Sequence, residues 1–97
     1  MGLEDIAGLV TNDIKTKQNI INLLNIIGKK QLTFEELMEE TDLNERYLRF
    51  LITKLRSIRL LMGESYDGDY RYYLSYESFT TYIKTKYSDA IYNLVKR

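Results

Sequence analysis

Ninety-seven residues make one domain's worth of chain, and a hydrophobic fraction of 44% argues for a folded core and against disorder. Fourteen basic and fourteen acidic side chains cancel, which argues against a uniformly basic nucleic-acid binder, and no apolar run approaches the roughly 18 residues of a membrane span. Neither cysteine nor histidine occurs. Disulfides, thiolate metal sites, the commonest general base and the strongest nucleophile are therefore missing, so a non-enzyme without cofactor or metal is expected.

Met1–Val10 carries Glu4 and Asp5 where a signal peptide would be positive, so a cytoplasmic protein is expected, nucleoid-associated when bound to DNA. Leu3 to Val10 reads as a short helical turn or a frayed end. The first firm helix is expected from about Asp13 to Ile27, with Asn12 as its N-cap and Gly28 as its stop. Lys29 and Lys30 follow at the negative end of its dipole. From Ile20 to Ile27 only Asn22 and Asn25 are polar, so this helix needs two neighbours to cover it.

Leu32 reads as a one-bridge strand. Thr33-Phe34-Glu35-Glu36 is a capping box opening a short helix, about Phe34 to Glu40, with Leu37 and Met38 inward. Thr41-Asp42-Leu43 makes a turn, and Asn44 caps a third helix from Glu45 to about Ser57. Leu60–Tyr66 and Tyr70–Leu74 read as strands joined by Asp67-Gly68, a type I′ hairpin signal. The last helix is expected over Tyr76–Val95, where Phe79, Ile83, Tyr87, Ala90 and Leu94, with Ile91 beside them, form one apolar stripe.

Charge is separated along the chain. Glu35, Glu36, Glu39, Glu40 and Asp42 precede Arg46, Arg49, Lys54, Arg56 and Arg59, which places one basic face on a neutral molecule. In the third helix Leu48, Leu51, Ile52 and Leu55 cluster on one side, and Arg46, Arg49, Thr53 and Arg56 form a stripe on the other. Guanidinium groups on one exposed stripe suit phosphate oxygens and the N7/O6 edge of guanine. Glu45 at the helix start repels phosphate unless it accepts from cytosine N4. Phe50, at the edge of the stripe, has the option of packing on a neighbouring element.

The order helix, short helix, turn, helix and hairpin resembles the winged helix-turn-helix superfamily, which includes the MarR-, ArsR- and PadR-type repressors. The resemblance is carried by LTFEELMEETDLNERYLRFLITKLRSIRLL: Leu37, Leu43, the Asn44 cap, Leu48, Ile52, Leu55 and Leu60-Leu61, with Tyr72–Ser75 similar to the second wing strand. It covers about Asp13 to Ser75 and implies fold more strongly than function. Arg59 departs from it, standing where many relatives have glycine. The implied architecture is mainly α with a small β-hairpin, a single domain over residues 1–97 with its core at 13–75 and a C-terminal helix at 76–97.

The resemblance implies a third helix lying in the major groove of double-stranded DNA, with Arg46, Tyr47 and Arg49 facing base edges and Thr53 and Arg56 nearer the backbone. Wings of this kind place a basic residue on DNA; here Glu64, Asp67 and Asp69 surround a single Arg71. Either Arg71 alone makes that contact or the wing stays clear. Tyr66, Tyr70, Tyr72 and Tyr73 are expected to pack the sheet, since a duplex hides its base faces. The last helix, through Phe79, Ile83, Tyr87, Ala90, Ile91 and Leu94, is expected to pair with a second copy, because it and the first helix offer more apolar surface than one small core covers.

Together these readings describe a small dimeric transcriptional regulator that acts by blocking or recruiting the transcription machinery, with no membrane partner. The lack of Cys, His, Trp and Pro resembles compact winged-helix proteins of archaea and their viruses or plasmids, where plasmid partition or site-spreading is a further role. The acidic second helix and wing point instead to a protein-interaction winged helix in a larger assembly.

Overall fold

The computed structural model describes residues 2–96; Met1 and Arg97, the two ends of the 1–97 span, lie outside the described residues. The chain runs α1 (Leu3–Gly8), α2 (Ile14–Ile27), β1 (Leu32–Thr33), α3 (Phe34–Thr41), α4 (Glu45–Ser57), β2 (Leu61–Tyr66), β3 (Asp69–Leu74) and α5 (Tyr76–Val95). It is mainly helical, with a small antiparallel sheet in the order β1-β3-β2. The strand read at Leu32 is therefore the third strand of the sheet, pairing Leu32 with Tyr72 and Thr33 with Arg71.

Most boundaries follow from interactions within one turn of chain. Thr33 Oγ1 accepts from Glu36 N–H at 3.2 Å while Glu36 Oε1 accepts from Thr33 N–H at 2.9 Å, the reciprocal pair expected at the start of α3. Asn44 Oδ1 accepts from Tyr47 N–H at 2.8 Å and opens α4. Between the two helices Asp42 adopts φ 56° and closes α3 in the left-handed region, which Asp tolerates better than most residues. Asp67 and Gly68 both have positive φ, as a type I′ turn requires. One expectation fails: α2 is capped by Asp13 and not by Asn12. The Asp13 carboxylate accepts from the backbone N–H of Thr16 at 2.9 Å and from its hydroxyl at 2.7 Å, an ionised acceptor that the neutral Asn12 amide does not match.

Both capping carboxylates are held below their ordinary pKa, Asp13 by the hydrogen bonds from Thr16 and Glu36 chiefly by the bond from the Thr33 amide. A carboxylate with a depressed folded-state pKa contributes stability above its ordinary pKa and loses it as pH falls through the lowered value. Thermal melts should therefore show stability declining below about pH 4. The Asp13→Asn/Glu36→Gln double variant should show a shallower decline; an unchanged slope would mean that these caps do not govern the acid limb.

The core joins Ala7 of α1, Ile20, Leu23, Leu24 and Ile27 of α2, Leu37 of α3, Leu48, Leu51, Ile52 and Leu55 of α4, and Ile58, Leu60 and Leu61 leading into the sheet. Ala7 makes α1 a true helix of the core, beyond the frayed end the sequence allowed. The wide apolar surface of α2 is covered from several sides, by α1, α3 and β3. Hence α2 has little apolar surface to spare for a second copy. α5 is different: it contains no buried residue, and only Phe79 and Tyr82 pack on the core.

Candidate nucleic-acid interface

The apolar half of α4 fixes its rotation. With Leu48, Leu51 and Leu55 fully buried and Ile52 nearly so, the opposite side must face outward, and Arg46, Arg49, Thr53 and Arg56 are all exposed on it. The expected stripe is thus present, and its members differ in how they are held. Arg46 has no hydrogen-bond or ion-pair partner among the described residues. Arg49 Nη2 lies 3.4 Å from Glu45 Oε1, and its guanidinium sits 4.3 Å from the centre of the Phe34 ring. That ion pair is exposed on both sides and contributes little to stability, so a phosphate can compete for the arginine. It also turns the one carboxylate at the helix start toward a cation. Thr53 donates its hydroxyl proton to the Arg49 carbonyl at 2.9 Å.

Arg56 is tied to the hairpin. Its Nη1 donates to the Tyr70 hydroxyl at 3.1 Å, and this bond raises its already high pKa. Tyr70 reaches that position because Gly63 on the neighbouring strand has no side chain: a Cβ there would collide with the phenol end of the Tyr70 ring. Tyr72, edge-to-face with Tyr70 at 5.3 Å, extends the same surface toward the core. These two tyrosines pack the sheet as expected, while Tyr66 near the tip is 60% exposed. A glycine inside a strand is the sequence signal for such a close approach.

Gly63→Ala should therefore displace Tyr70, break its bond to Arg56 and lower stability by about 1–3 kcal/mol, the usual cost of overpacking. In a Tyr70→Ala background the same change should be neutral or favourable. Urea denaturation of the four proteins checks this, and additive effects would refute the coupling.

Two residues stand otherwise than the sequence suggested. Tyr47 was expected to face base edges, but it lies about 100° around α4 from Arg46 and packs against the core. Its hydroxyl accepts from Asn19 Nδ2 at 2.9 Å, which directs it to α2. Arg71, expected to touch DNA from the wing, is half-buried and committed elsewhere. Its Nη1 lies 3.4 Å from Glu36 Oε1 and donates to the Gln31 carbonyl at 3.3 Å, and its Nη2 lies 3.6 Å from Asp69 Oδ2. It joins the hairpin to the capping box of α3. Arg59, the departure from the glycine pattern, does adopt the left-handed conformation, with φ 60°.

The apolar stripe of α5 is split by packing. Phe79 belongs to the body of the molecule and Ile83 is half-buried, but every residue from Lys84 to Lys96 is exposed, including Tyr87, Ala90, Ile91 and Leu94. The expected pairing surface is thereby shortened to the distal turns, with the exposed Val95 at its edge. No helix among the described residues is long and apolar enough to cross a membrane.

Comparison of the chain with protein-family models, curated proteins and solved structures finds no match.

Proposed function

We propose that the protein binds double-stranded DNA as a homodimer, with α4 in the major groove, and serves as a small transcriptional regulator. The observation that carries this reading is the outward face of α4. Arg46, Arg49 and Arg56 share it with Thr53, and its single carboxylate, Glu45, lies against Arg49. Three guanidinium groups on one helix side suit phosphate oxygens and guanine edges along a groove. Arg46 and Arg49 are the base-reading pair. Arg56, steadied by Tyr70, is the backbone contact, and the acidic hairpin tip stays clear of the duplex.

The dimer half of the proposal rests on α5. Its last turns are a helix without a supporting surface, and an isolated helix this short is marginal in water. Four large apolar side chains there, Tyr87, Ile91, Leu94 and Val95, are each roughly half exposed or more. A second copy of α5 supplies the missing cover and sets two α4 helices on two half-sites.

Binding of a protein partner through the acidic face is the second reading. It is favoured by the pairing of Arg71 with Glu36 and Asp69, while Glu64 and Asp67 at the hairpin have no ion-pair partner among the described residues.

Anisotropy titrations against duplex DNA at several salt concentrations separate the two. Groove binding predicts that log K falls linearly with log salt, with a slope of about −0.9 per phosphate contacted. No affinity at low salt would reject DNA as the ligand and favour the protein-partner reading.

A further inference from the structure

Phe50 is 45% exposed on α4, although the helix has an apolar side that could have held it. At about 100° per residue it lies some 40° around the helix from Arg46 and 60° from Thr53, so it stands within the outward face. It is not among the apolar side chains that pack on the core. Its ring stacks on Tyr47, with centroids 6.0 Å apart and planes inclined by 27°, and the Lys54 ammonium lies 5.4 Å from its centre. Tyr47 is in turn held by Asn19 of α2. The Asn19–Tyr47–Phe50 series therefore gives the exposed ring a supported neighbour on one side.

An exposed phenylalanine beside arginines is poorly matched to phosphate, but the floor of the major groove carries one apolar group. That group is the 5-methyl of thymine, and apolar side chains on a reading helix contact it. We infer that Phe50 is a specificity-determining residue that packs on a thymine methyl group next to the base read by Arg46. The inference rests on the DNA-binding reading and adds thymine to a site whose arginines favour guanine. The neighbouring Lys54 fits a position at the rim, where its charge reaches the backbone while its stem covers the ring.

The test begins with a 20-base-pair duplex enriched from a random-sequence library by the wild-type protein (about two turns of DNA, one for each half-site). Each thymine is then replaced singly by uracil, which removes the methyl group and leaves the pairing edge intact. One position per half-site should lose about fourfold in affinity, the worth of one buried methyl group. Phe50→Ala should bind the thymine and uracil duplexes equally, near the wild-type affinity for uracil, and Phe50→Leu should keep part of the discrimination. Because Phe50 is outside the core, these variants should fold as the wild type does. Wild-type indifference to every uracil, or undiminished discrimination in Phe50→Ala, overturns this inference alone. Failure to enrich any duplex overturns the DNA reading and this inference with it.

Discussion

Ile91→Glu should convert a wild-type dimer to a monomer and weaken binding to a two-half-site duplex by roughly 10²- to 10⁴-fold, the advantage lost when a linked second contact becomes independent. The position is chosen for its surroundings. Ile83 is half-buried, so a charge there would disturb the fold as well as any interface, whereas Ile91 is 59% exposed. Glutamate at 91 therefore costs the free chain little, but in a dimer it places two unpaired carboxylates at a shared apolar seam. Light scattering reads the mass, and circular dichroism verifies that the body remains folded. A wild-type monomer at micromolar concentration would reject the dimer outright. So would a glutamate variant that remains dimeric.

Arg46→Ala should cost duplex binding about 1–3 kcal/mol, roughly 5- to 150-fold, without altering the melting temperature. Arg46 carries the larger expectation because no side chain among the described residues pairs with it. Arg49 must first leave Glu45 and the face of Phe34, and Arg56 is held by Tyr70. If Arg46 reads a base, its removal also relaxes sequence preference at one position; if it meets only phosphate, the salt slope falls by about 0.9 with preference unchanged. Comparing the variant on an enriched and a scrambled duplex separates these outcomes. Undiminished affinity would remove α4 from the interface.

The α3–α4 pair with its connecting turn and the β2–β3 hairpin were legible because their signals are local. The Thr33–Glu36 box, the Asn44 cap and the Asp67-Gly68 turn are contacts within four residues of chain, so the residue types and spacing determine them. The misplaced cap of α2 marks the limit of that reasoning. Asn12 and Asp13 are both good caps, and the choice fell to the residue whose carboxylate meets two donors of Thr16. The outward placement of Arg46, Arg49, Thr53 and Arg56 was legible too, since helical periodicity sets it once Leu48, Leu51, Ile52 and Leu55 claim the core.

By itself, then, the sequence determined the elements from α2 onward, their order and the side of α4 that carries the arginines. Tertiary structure decided what those side chains touch. Arg71 and Glu36 are 35 residues apart, Tyr47 and Asn19 are 28 apart, and Arg56 meets a tyrosine 14 positions on. No periodicity encodes such pairs, because they depend on where one element lies against another. The same reason explains α5. An apolar stripe looks alike whether it covers its own core or another chain, and only packing assigned Phe79 and Tyr82 to the body while leaving Tyr87, Ile91 and Leu94 uncovered.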